Sequence, residues 1–136
     1  MLQEDLRLGQ FILSKADQLT ENDLIVCLQA FHETEFQSAF EEILMNNLSE
    51  MSVEVATELL YWCGKERKGS NFLIQNLVDK IEAVAGDAAE MESDLLAKIV
   101  IAFNMVGRSG TALRQFSKAT SGKKSELDPQ VYKLVK

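Results

Sequence analysis

The chain is poor in the residues that build small non-helical or metal-centred folds. Of its 136 residues, two are cysteine, one is histidine and one is proline. Two cysteines cannot staple a disulfide scaffold, and with a single histidine they cannot furnish a Cys/His zinc module. One proline and seven glycines are too few for the many tight turns of a sandwich or barrel. A membrane-spanning helix needs about 18 consecutive apolar residues. The longest candidate, Leu95 to Val106, is shorter and carries Lys98 and Asn104, so it reads as a core helix. Early basic residues are scarce as well. Met1-Leu2-Gln3-Glu4-Asp5 places acids where a secretory signal or transit peptide carries bases. Dinucleotide, phosphate-loop and nucleophile-elbow signatures are all missing.

What is there favours a single helical domain. The chain is 46% apolar and 26% charged, close to the average ordered protein. Its 14 basic and 21 acidic residues give net −7, which argues against a general polyanion binder. Cys27 and Cys63 lie in apolar helical stretches and read as small buried hydrophobes, which fits a reducing, intracellular setting. A reactive Cys63 would need cationic help from Lys65 and Arg67.

Helix punctuation divides the chain. Thr20-Glu21-Asn22-Asp23 and Thr34-Glu35-Phe36-Gln37 have the form of N-terminal caps, the second with the Gln of a capping box. Ser52, Ser70 and Ser93 stand at the start of apolar runs, and Gly64, Gly86 and Gly107 follow them. Asp128-Pro129 supplies a cap with proline at the first helical position. These signals predict helices over 3–18, 21–32, 35–49, 53–64, 71–85, 93–106, 110–120 and 129–135. Each has apolar residues at helical spacing, such as Leu24, Leu28 and Phe31, or Leu73, Leu77 and Ile81.

Three of the helices are alike. Asn22 to Phe31 lies over Asp94 to Phe103 with Ala-Phe matched at the end, and Val55 to Gly64 falls in the same register with Cys63 under the two phenylalanines. Phe31, Cys63 and Phe103 thus mark successive units, the second interval longer than the first. Each matched helix is followed by a second amphipathic one, so the unit is a helical hairpin. A period of this size with two helices marks an α-solenoid. The expected fold is therefore all-α, a solenoid of about three antiparallel hairpins over 20–50, 51–92 and 93–122. A half-repeat over 1–19 and a basic loop and short helix over 123–136 complete a single domain, 1–136.

Leu59-Leu60-Tyr61-Trp62-Cys63-Gly64-Lys65, with Asn22-Asp23-Leu24 and Ser93-Asp94-Leu95 opening the sister helices, resembles octotricopeptide and heptatricopeptide repeats. These are relatives of the tetratricopeptide superfamily. The resemblance covers residues 20–122. It implies a mitochondrial or other organellar setting, with the cytoplasm as the alternative, and membership of an RNA-processing or ribosomal assembly. The chain departs from the family's RNA-binding members in being acidic.

Few residues invite chemistry. His32 beside Glu33 and Glu35 has metal-ligand chemistry, but Cys27 lies off that face. A histidine in a last turn also interacts favourably with the helix dipole, the simpler role. Glu41 and Glu42 are adjacent, about 100° apart around a helix, so they cannot share a substrate and read as a solvated face. No catalytic, cofactor or metal residues are assigned. The run Leu59 to Cys63 is apolar all round and predicts Trp62 in the core between repeats; an exposed Trp62 would instead be an anchor for a partner or a stacked base.

Charge is the most informative functional feature. Residues 1–50 carry 2 bases and 10 acids, 51–92 carry 4 and 8, and 93–136 carry 8 and 3. In a stack of repeats, this order becomes an acidic end and a basic end. Arg108, Arg114, Lys118, Lys123 and Lys124 are the candidate contacts, to an acidic protein surface or to RNA phosphate. Lys133 and Lys136 extend them. The expected function is a non-catalytic scaffold or adaptor bound to other protein subunits, with RNA association as the alternative. Half-repeats would leave Phe11, Ile12, Val131 and Leu134 in need of a neighbour.

Overall fold

The computed structural model describes residues 3–31, 34–127 and 129. Among them are seven α-helices, four short 3-10 segments and no strand. The helix expected over 129–135 lies outside the described residues, apart from Pro129. The chain forms two compact units, Met1–Met51 and Ser52–Lys136.

The first unit holds α1 (Gln3–Ser14), α2 (Glu21–Ala30) and α3 (Gln37–Asn46). A reciprocal capping box starts α2: Thr20 Oγ1 accepts from the Asp23 amide at 3.1 Å, and the Asp23 carboxylate accepts from the Thr20 amide at 3.1 Å. Leu24, Leu28 and Phe31 then meet Phe36, Phe40 and Leu44, all buried, as α2 packs on α3. The Phe31 ring is the hub, 5.7 Å from Phe36 edge-on and 5.7 Å from Phe40 at a tilt, a geometry aromatic quadrupoles favour. On α1, Gly9 lies so close under the Phe36 ring that a Cβ would overlap it.

Two expectations fail in this unit. Gln37 is not the glutamine of a capping box; α3 begins there, with Phe36 as an N-cap that makes no side-chain bond. Thr34 shapes the approach instead, accepting from the Phe36 amide and donating to the Phe31 carbonyl. Glu41 is no part of a solvated face. It is 1% exposed and accepts from Gln37 Nε2 at 2.8 Å, while Glu42 stays exposed.

The second unit holds α4 (Val53–Glu66), α5 (Asn71–Glu82), α6 (Ser93–Met105) and α7 (Thr111–Gly122). Helix α4 packs on α5, α6 on α7, and α4 on α6. The boundaries recur at one constant offset, the one that separates Cys63 from Phe103. Val53 and Ser93 start the first helices, Asn71 and Thr111 the second, and Glu82 and Gly122 end them. Burial follows the same offset on the first helices, where Ala56, Thr57, Leu59, Leu60 and Cys63 match Leu96, Ala97, Ile99, Val100 and Phe103 in turn. Each buried Leu or Ile in such a seam contributes about 1.5–3 kcal/mol. Two hydroxyls enter the core at no hydrogen-bond cost, since Thr57 donates to Val53 O and Thr120 to Phe116 O.

Both first helices end in the same way. Lys68 N donates to Cys63 O at 3.0 Å and Arg108 N to Phe103 O at 2.9 Å, the long bond of a Schellman motif. The left-handed residue is Gly107 (φ 71°) after α6 but Arg67 (φ 56°) after α4. Gly64 therefore does not stop α4, which runs on to Glu66. Its role is packing, because a Cβ there would sit 2.6 Å from Met105 Cβ and 3.3 Å from Val106 Cγ1. Ser93 likewise is the first residue of α6 rather than its cap, which is Glu92.

Three substitutions separate these effects in urea unfolding. Gly64→Ala lowers stability by about 1 kcal/mol, overpacking at the seam outweighing the gain in helix propensity. Gly86→Ala, with nothing within 4 Å of its Cβ position, raises it by about 0.5 kcal/mol. Arg67→Gly stabilises by about 0.5–1 kcal/mol, because glycine accepts the left-handed backbone without the Cβ conflict.

Candidate functional site

The five basic residues singled out by the sequence do not share one surface. Arg114 and Lys118 are exposed one turn apart on α7, so they share a face. Arg108 precedes the helix and is half-buried, its Nε enclosed without a hydrogen-bond partner. Lys123 follows it, half-buried, with Nζ donating to Met91 O at 2.7 Å. With 12 residues rising about 1.5 Å each, α7 separates these two by about 18 Å. Lys123 also lines a pocket with Glu90, Glu92, Asp94 and Glu126, so its surroundings are acidic. The side chain of Lys124 lies outside the described residues, as do His32, Lys133 and Lys136.

The structure adds bases that sequence order had hidden. Because Gly64 on α4 meets Met105 and Val106 at the end of α6, the two helices terminate side by side. The residues around and just beyond these ends, Lys65, Arg67 and Lys68 from α4 and Arg108 after α6, fall on one edge of the unit. Lys65 and Arg67 are exposed, and Lys68 is half-buried. Cations at helix C-termini are also stabilised by the dipole, which accounts for their presence but leaves the Lys65 and Arg67 charges directed outward. Met105 is 45% exposed at this same edge. The signal that would have found the edge was the offset between Cys63 and Phe103, which pairs Lys68 with Arg108 and Arg67 with Gly107.

Lys98 is withdrawn from any such surface. It bridges α6 to α4, forming an ion pair with Glu58 and lying 5.0 Å above the Tyr61 ring. Trp62 is half-buried, neither the enclosed core residue expected nor an exposed anchor. Its matched positions are unlike it, Ala30 being exposed and Ala102 fully buried.

A second feature belongs to the first unit. A groove of about 530 Å³ is floored by Leu19, Leu24, Ile43 and Leu44 and rimmed by Asp17, Glu21, Asn47 and Glu50. Its exposed lining is at least as polar as it is apolar and includes three carboxylates, which suits a cationic ligand. Among the described residues no group of His, Cys, Asp and Glu is placed to hold a metal ion, and no helix is long and apolar enough to cross a membrane. A third concavity, in the second unit, is lined mainly by Ala85, Ala88, Ala89 and Ala119, with Lys118 and Lys123 beside them.

Neither cysteine has the setting of a nucleophile. Cys63 is 2% exposed and tucked beneath Gly69, whose Cβ position is 2.8 Å from its sulfur. For Cys27, burial first and the Asp23 charge second raise the thiol's pKa. Compared with protein-family models, curated proteins and solved structures, the chain matches none.

A raised pKa means less thiolate at any given pH. Iodoacetamide labelling of the native protein at neutral pH is therefore slower at Cys27 than at free cysteine. Its rate is still climbing at a pH where free cysteine has levelled off, and Cys63 is labelled only on unfolding. Mass spectrometry of the two peptides checks both statements.

Proposed function

We propose that this chain is a non-catalytic scaffold or adaptor, a small structural subunit of a larger assembly, built from helical-hairpin repeats stacked as an α-solenoid. The observation that carries the reading is the hairpin α4–α5 recurring as α6–α7 at a constant offset, the two first helices packed along a shared seam. Repeats of this kind are one-dimensional stacks whose edges and faces serve as docking surfaces. The edge bearing Lys65, Arg67, Lys68 and Arg108, together with Arg114 and Lys118 on α7, recognises an acidic protein partner. By its resemblance to the organellar helical repeats, the chain works in the mitochondrion, or else in the cytoplasm.

The RNA-associated reading draws on one observation, the exposed Arg114 and Lys118 sharing a face of α7. Such a strip can follow a phosphate backbone, whose binding weakens steeply with salt. Lys123 gives that reading less support, since carboxylates surround it.

The test is capture of the tagged chain from its own cells, with and without ribonuclease, beside a variant carrying Lys65→Glu, Arg67→Glu, Arg114→Glu and Lys118→Glu. A set of protein subunits that resists ribonuclease and falls about tenfold or more in the variant is the expected result, a loss of about 1.4 kcal/mol or more. Recovery of the chain alone, or of the same subunits with both proteins, overturns the proposal. Partners lost on ribonuclease treatment select the RNA reading.

A further inference from the structure

One chain carries both halves of a complementary contact. In the first unit, the groove is lined by the half-buried Leu19 and Ile43 together with Asp17, Glu21 and Glu50. In the second unit, the edge where α4 and α6 end has an apolar projection, Met105, with the exposed Lys65 and Arg67, the half-buried Arg108 and one carboxylate, Glu66, at the same helix ends. Methionine is unbranched and polarisable, suited to filling an irregular apolar hollow. Residues 1–50 hold 10 acids against 2 bases, so the wider field around the groove has the sign of its rim.

We infer that the basic edge of one copy docks into the acid-rimmed groove of a second copy, giving head-to-tail self-association. The inference rests on the scaffold reading to the extent that both use the basic edge for docking; it identifies one acidic partner as the chain itself. Because the two surfaces differ, the contact is heterologous, and association continues to open chains unless the geometry closes a ring. Carboxylates facing guanidinium and ammonium groups set register and on-rate, while Met105 entering the groove supplies the apolar contact. Salt in the medium screens the attraction, since the Debye length falls from about 30 Å at 0.01 M to about 3 Å at 1 M.

The experiment is sedimentation velocity of the purified full chain at about 100 μM, a concentration that reveals micromolar contacts. In low salt the wild type associates, and raising salt to about 0.5 M weakens this at least tenfold. Glu21→Lys with Glu50→Lys, and separately Lys65→Glu with Arg67→Glu, each give a monomer. Carrying all four substitutions in one chain restores association, since both signs are then exchanged. A control, Glu35→Lys with Glu42→Lys, makes the same change in net charge at exposed positions off the groove and leaves association intact. Circular dichroism confirms that each variant is folded. A wild type that stays monomeric, a control as disruptive as the groove variant, or a fourfold variant that remains monomeric would each overturn the inference. Because this measurement uses purified protein alone, its failure leaves capture of other subunits untouched. Loss of capture, in turn, leaves self-association standing.

Discussion

The structure of the second unit depends on how closely α4 approaches α6. Where Gly64 faces Met105, only the α6 side contributes side-chain atoms to the contact, and along the rest of the seam Leu59, Leu60 and Cys63 share the interior with Leu96, Ile99 and Phe103. Tight packing of this kind has discrete solutions rather than a range. It fixes the register of the two helix pairs, brings α4 and α6 to an end at the same edge, and so gathers bases that lie far apart in sequence. Lys98 fastens the outside of the same seam through Glu58 and Tyr61.

Local signals were readable where one residue suffices. Thr20, Ser52 and Ser70 cap their helices through side-chain bonds of 3.1 Å, and the apolar stripes of all three matched helices are buried. The offset between Cys63 and Phe103 could be seen in the residues before it was seen in the backbone. What could not be read depended on neighbours distant in sequence. Gly64 looks like a helix stop until α6 is placed beside it. Glu41 looks solvated until Gln37 and the surrounding core enclose it. Thr34 has a capping hydroxyl, yet the aromatic cluster of Phe31, Phe36 and Phe40 dictates where α3 begins, and the hydroxyl serves the loop.

Charge showed the same division. A count along the sequence treats every base in the last third as equivalent, but the fold gives them different tasks. Lys98 holds a helix pair, Lys123 ties the start of α6 to the end of α7 through Met91 O, and Arg108 has lost part of its guanidinium to the interior. Those left facing outward are fewer, and they are joined by Lys65 and Arg67 from the middle third. A surface potential is therefore a property of helix ends and faces, and sequence blocks approximate it poorly.

The two hairpins of the second unit differ in how their helices begin. Ser52 and Ser70 provide side-chain caps for α4 and α5, whereas Glu92 and Gly110, in front of α6 and α7, make none. Lacking a side-chain cap costs about 1 kcal/mol at most residues and only about a few tenths at glycine, and starting a helix is the unfavourable step in its formation. The earlier hairpin thus carries its own nucleation signals, while the later one has a more apolar first helix and gains most once a surface is ready to receive it. Its stability therefore draws less on its own termini and more on the surface that α4 presents to α6.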